Sequence, residues 1–161
     1  VDRNINYTNV CWVDCKFCAF YRHGRDEDSY VLKFEEIDQK IDELLEGKVD
    51  YIILAGFLSI LNSEFVKKWE KRIINIHPSL LPKYGGAGMY GMKIHEAVIR
   101  DGEKESGCTV HYVDSGIDTG EIIIQEKVKV EKNESPETLQ DKVLEKEHRV
   151  LVKAIEMLIL K

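Results

Sequence analysis

Residues 72–82 read RIINIHPSLLP, and the reading of this stretch decides how the rest of the chain is arranged. Ile73, Ile74 and Ile76 make a β-branched apolar run around Asn75, which is the composition of a buried strand. Pro78 ends it, because proline lacks the N–H that a ladder requires. Residues i and i+2 of a strand point to one face, so Asn75 and His77 project together while Ile76 packs behind them. They sit at the carboxyl end of the strand, where open α/β sheets bind ligands. A neutral amide donor beside an imidazole suits an oxyanion site. Taken alone, the pair also reads as a strand-end Asn and His that satisfy loop backbone.

Working outward, YIILAGF (51–57) is a second short apolar run, consistent with a buried parallel strand. Between the two runs, Ser63 is expected to cap a helix reaching about Lys71, with Phe65, Val66 and Trp69 inward. After the loop SLLPKYGGAGMYG (79–91), a helix is expected from about Met92 to Arg100, closing near Gly102. CTVHYV (108–113) alternates like a strand, Asp114 to Gly120 is a turn-rich loop, and EIIIQEKVKV (121–130) is another strand. Ser135-Pro136-Glu137 starts a helix that runs to the C-terminus on Leu139, Val143, Val150, Ile155 and Leu158. Near the N-terminus, NINYTNV (4–10) reads as a short strand and 34–46 as an amphipathic helix stopped by Gly47. Strands alternating with helices predict an α/β fold, a mainly parallel sheet flanked by helices in the Rossmann-like manner.

The 161 residues suffice for a domain with a real core, and 43% apolar with 32% charged is a globular composition. The net charge of −6 argues against nonspecific nucleic-acid or membrane-surface partners, which need a basic face. No apolar run approaches the ~20 residues that span a bilayer, and no signal-peptide pattern is present, so a cytoplasmic location is expected. The chain opens Val1-Asp2-Arg3 without Met, which suggests a missing upstream segment. No feature specifies an oligomeric state.

LAGFLSIL (54–61), RIINIHPSLLPKYGG (72–86), HEAV (95–98), GCTVHYVDSGIDTGEII (107–123) and EKEH (145–148) together resemble glycinamide ribonucleotide formyltransferase, in order and spacing. The resemblance implies that Asn75, His77 and Asp118 are catalytic, and that His111 lines the active site. It implies that Leu58, Ser59, Ile60 and Leu61, with the loop Asp114–Asp118, border a folate pocket, and that Glu147 contacts the glycinamide substrate. The implied partners are small molecules: glycinamide ribonucleotide and 10-formyltetrahydrofolate as co-substrate. In the implied mechanism Asn75 and protonated His77 stabilise an oxyanion, while Asp118 holds His77 charged and helps move the amine proton. Methionyl-tRNA formyltransferases share the HPSLLP string, but KYGG, GMKIHEAV and EKEH favour the purine enzyme. The family's opening strand and glycine-rich phosphate loop have no counterpart here, so the acceptor phosphate has no evident binding loop.

The cysteines point elsewhere. NINYTNVCWVDCKFCAFYR (4–22) carries Cys11-x3-Cys15-x2-Cys18, a spacing that can hold three irons of a [4Fe–4S] cluster and leave the fourth to S-adenosylmethionine. With SYVLKFEEI (29–37), it is similar to radical SAM enzymes of the dehypoxanthine futalosine cyclase and deazaflavin-synthase kind. A zinc knuckle completed by His23 or Cys108 is the alternative. The two resemblances meet near 45–50, which reads as a chimera: a radical SAM-like fragment over 1–48 and a formyltransferase catalytic half over 49–161. The alternatives to formyl transfer are therefore an iron–sulfur enzyme of menaquinone biosynthesis, or a non-catalytic α/β domain that only associates with itself or a partner. Among single residues, Cys108 reads as core, His95 as structural or solvent-facing, and His148 as a surface residue.

Overall fold

The computed structural model describes Glu27, Leu32, Glu36, Ile37, Gln39, Lys40, residues 49–57 and residues 59–160. The chain divides into two units, Val1–Asp50 and Tyr51–Lys161. In the first, Glu36, Ile37, Gln39 and Lys40 are helical and Ile37 is buried, within the helix expected over 34–46. The strand expected at 4–10 lies outside the described residues.

The second unit runs β1 (Ile52–Leu54), α1 (Ser63–Lys68), β2 (Ile73–His77), α2 (Met92–Arg100), β3 (Glu105–Tyr112), β4 (Ile122–Lys129) and α3 (Pro136–Ile159). The strands lie side by side in the order β1-β2-β3-β4. β1 and β2 are parallel, joined by the crossover through α1, with Leu54 beside Asn75. β2 meets β3 antiparallel, and β3 meets β4 antiparallel. The α/β class therefore stands, but among the described strands the sheet is mixed rather than mainly parallel. For β3 and β4 the reason is connection length: only residues 113–121 separate them, too few for the dozen or so that a parallel crossover needs.

Local chemistry places the helices. Asn62, not the expected Ser63, caps α1: its Oδ1 accepts from the backbone N–H of Glu64 at 2.6 Å and of Phe65 at 3.3 Å. The helix ends at Lys68, earlier than expected, and Lys71 takes a left-handed φ of 56°. α2 ends at Arg100, and the chain turns away past it at Gly102 (φ 67°), where the Gly102 and Glu103 amides bond to the Ile99 and Val98 carbonyls. Ser135 caps α3 as expected, its Oγ accepting from the Thr138 amide at 3.3 Å, with Pro136 at the first helical position.

One sheet face packs on helices. Ile74, Cys108, Val110 and Val128 join Val98 of α2 and Leu139, Val143, Val150, Ala154 and Leu158 of α3 in a single apolar cluster. Period-two alternation then turns Asn75, His77, Thr109 and His111 to the opposite face, which is the one that carries the site. Among the described residues no helix is long and apolar enough to cross a membrane.

Candidate active site

The β2–β3 register builds the first half of the site. Asn75 stands opposite His111 and His77 opposite Thr109, so a strand-end pair and a residue 36 positions later share one face. His111 is 2% exposed and donates from Nδ1 to the Tyr112 carbonyl at 2.8 Å. Burial lowers its pKa, which keeps the ring neutral and leaves Nε2 as an acceptor. The Asn75 amide nitrogen lies 3.3 Å from that Nε2 and donates to it. The amide is thereby oriented, with its second N–H left for another acceptor.

His77, 5% exposed, lies with Nε2 at 2.9 Å from the Tyr84 carbonyl. A carbonyl can only accept, so Nε2 carries a proton and Nδ1 is the nitrogen turned to the site. Asp118 faces that nitrogen: its Oδ2 is 3.6 Å from His77 Nδ1, and its Oδ1 is 3.7 Å from His111 Nε2. Both separations are longer than a direct hydrogen bond. Asp118 has a left-handed backbone (φ 57°), an uncommon state for a non-glycine residue, and its Oδ2 accepts from the Gly86 amide at 3.0 Å. Loop 113–121 folds back over the sheet because both its ends are tied: the Val113 amide to the Ile73 carbonyl, the Tyr112 amide to the Glu121 carbonyl.

A groove of about 330 Å³ opens beside Asp118, between Leu81–Gly86 on one side and Ile117–Ile122 on the other. Asn75, His77 and His111 are not in its wall. Its rim is held by a cluster that sequence reading did not single out. Thr109 Oγ1 donates to the Ser79 carbonyl at 2.6 Å and accepts from the Leu81 amide at 3.1 Å, and Gln125 Nε2 bonds Thr109 Oγ1 and the Leu81 carbonyl. Buried His95 of α2 has its pKa lowered to about 4 by burial, with the His77 charge acting in the same direction. It is structural and neutral.

The remaining expected residues are placed variously. Ser59 and Ile60 are exposed and Leu61 half-buried, on the loop that leaves β1 at the same sheet edge as Asn75; Leu58 lies outside the described residues. Asp114 shapes its own loop, with Oδ1 accepting from the Gly116 amide at 3.0 Å and Thr119 Oγ1 at 2.7 Å. Glu147 sits on α3 one turn beyond Val143, on the stripe packed against the helix-covered sheet face, and its charge acts on Cys108 there. Burial raises its carboxyl to about 7. Cys108 is fully buried core, its thiol pushed up to about 12 by burial, and His148 is exposed. Cys11, Cys15 and Cys18 lie outside the described residues, and among those described no group of His, Cys, Asp or Glu is arranged to hold a metal.

An amide donor and an imidazole on one strand end of an α/β domain, with a carboxylate folded against them, are groups able to serve acyl transfer. The chain belongs to the formyl transferase family, whose sequence pattern matches residues 25–155. That match begins inside the segment 1–48 and runs across 45–50. The chain is 46% identical over 118 residues to the chloroplastic phosphoribosylglycinamide formyltransferase of Vigna unguiculata, covering 73% of this chain and 38% of that protein. Among solved structures it resembles the phosphoribosylglycinamide formyltransferase of Anaplasma phagocytophilum at 39% identity and TM-score 0.69, over 76% of this chain and 58% of that one. A formyltetrahydrofolate deformylase from Pseudomonas syringae shares the fold at 29% identity and TM-score 0.67, over 76% of this chain and 38% of that one. The chain thus spans about two fifths of the length of the chloroplastic relatives from Vigna unguiculata and Arabidopsis thaliana.

Proposed function

We propose that this chain transfers a formyl group from 10-formyltetrahydrofolate to the amine of glycinamide ribonucleotide, a step of de novo purine biosynthesis. The observation that carries the reading is the convergence of Asn75, His77 and His111 on one sheet face with Asp118 folded against both histidines. In the step proposed, the acceptor amine attacks the formyl carbon and its oxygen becomes an oxyanion. The free Asn75 N–H and a protonated His77 Nδ1 stabilise that oxygen. Asp118 balances the imidazolium and takes the amine proton, directly or through water. Collapse breaks the bond to the folate N10, which is protonated as it leaves. Ser59, Ile60, Leu61, Asp114 and the groove beside Asp118 border the folate in this reading, and a Glu147 contact to the acceptor rests on sequence resemblance alone. The expected compartment is the cytoplasm, again from sequence.

Incubating the purified chain with both substrates tests this. Formylated glycinamide ribonucleotide and tetrahydrofolate should appear in equal amounts. Release of free formate instead would replace amine by water as acceptor, and no turnover at all would sink the proposal.

A second reading concerns the N-terminal segment, whose cysteines lie ahead of the family match at 25. The Cys11-x3-Cys15-x2-Cys18 spacing favours a [4Fe–4S] cluster in a radical SAM-like fragment, as part of a chain divided into 1–48 and 49–161. Anaerobic incubation with iron and sulfide should then produce sulfur-to-iron charge-transfer absorption that is lost in a Cys11→Ala, Cys15→Ala, Cys18→Ala variant. A colourless protein excludes it.

A further inference from the structure

One short loop touches both partners of the His77–Asp118 pair. The Tyr84 carbonyl accepts from His77 Nε2 at 2.9 Å, and two residues later the Gly86 amide donates to Asp118 Oδ2 at 3.0 Å. Gly85 between them is packed tightly: a Cβ there would lie 2.5 Å from Leu81 Cδ2 and 3.2 Å from the Asp118 Cβ. Movement of this backbone is therefore passed directly to Asp118. Tyr84 itself has a φ of 56°, a left-handed state that a bulky residue holds only when its surroundings over-determine it.

The phenol helps to hold it, beside the Ser79 Oγ bond to the Lys83 carbonyl at 2.6 Å and the Met89 amide bond to the Gly86 carbonyl at 3.2 Å. Tyr84 OH donates to Asp101 Oδ2 at 3.1 Å and lies 3.3 Å from Glu103 Oε1. Asp101 caps the C-terminus of α2, and Glu103, gripped in turn by Lys83 Nζ at 2.7 Å, lies on the turn into β3. Burial, reinforced by these carboxylates, pushes the phenol up to about 12, so it remains a donor. Packing alone does not pin the ring, because a cavity of about 180 Å³ lies against it, lined by Leu80, Val98 and Ser106 among others.

We propose that Tyr84 is a positioning residue: its hydroxyl, anchored on Asp101 and Glu103, fixes the backbone of 84–86 that sets the tautomer of His77 and its separation from Asp118. The effect on catalysis rests on the formyl-transfer reading; the effect on His77 does not. Tyr84→Phe removes the hydroxyl and keeps the ring. Long-range ¹⁵N–¹H NMR of the full chain, at a pH where the ring is neutral, reads the His77 tautomer. The wild type should show Nε2–H, and Tyr84→Phe should show a mixture with Nδ1–H. In formyl transfer kcat should fall about tenfold, with KM for 10-formyltetrahydrofolate changed less than about twofold. An unchanged His77 tautomer in a folded Tyr84→Phe protein overturns the proposal, whatever the rate. If that variant does not fold, the double variant Asp101→Ala, Glu103→Ala removes the same acceptors from the solvent side and is judged by the same spectrum. A wild type that transfers no formyl group refutes the function reading, while the tautomer comparison still decides the role of Tyr84.

Discussion

Each ring nitrogen of His77 has a separate neighbour, Nε2 the Tyr84 carbonyl and Nδ1 the Asp118 carboxylate. Replacing the ring removes both contacts. His77→Ala and Asn75→Ala should each lower kcat by ~10²–10³-fold, as expected for one lost oxyanion donor. The double variant should fall less than the product, since the two act on one oxygen; a steady-state formyl-transfer assay checks all three. Cys108 offers a contrasting test. With its thiol fully buried and pushed up to about 12, it should resist alkylation in the folded protein and react only after denaturation, as read by peptide mass mapping. At this scale Asn75 and His77 were legible, because i and i+2 of a strand must share a face. Tyr84 was not, since its contact to His77 is made by a carbonyl that every residue possesses.

Among the elements, α3 carries the clearest liability. Glu147 occupies the buried stripe between Val143 and Val150, and burial raises its carboxyl from 4.5 to about 7. Across that window the unfolded chain releases a proton that the folded chain keeps, so stability falls as pH rises through it and levels off above. Glu147→Gln should abolish this slope and stabilise the protein at about pH 8 by on the order of 1–2 kcal/mol, allowing for solvent screening. Urea midpoints at about pH 5 and about pH 8 provide the check; an equal slope in both proteins would contradict it. The β3–β4 pair depends on Gly107, where a Cβ would lie 2.1 Å from the Glu126 carbonyl oxygen. Gly107→Ala should therefore cost more than about 2 kcal/mol, read from the same urea curves. The cap of α1 shows how local chemistry misleads by one position: Asn62 and Ser63 are both capping residues, and only the chain path selects Asn62.

At the level of the whole molecule, the two units each contain one tryptophan, Trp12 in Val1–Asp50 and Trp69 in Tyr51–Lys161. Single-tryptophan variants, Trp12→Phe and Trp69→Phe, can therefore follow the units separately by fluorescence. Gly107→Ala should shift the transition reported by Trp69 and leave that reported by Trp12 in place; matching shifts would show that the units unfold as one. The family pattern, reaching from 25 to 155, crosses 45–50, where the residues themselves suggested a change of family. From residues alone one could place nearly every described helix and strand of the second unit and pair Asn75 with His77, because periodicity, caps and prolines act over a few neighbouring positions. Only the folded chain decided that β3 and β4 run antiparallel, that His111 stands opposite Asn75, and that loop 113–121 returns Asp118 to His77. Those outcomes depend on long-range backbone pairing and on which way each connection turns. Backbone groups are alike in every residue, so such pairings leave little trace in a local pattern of side chains.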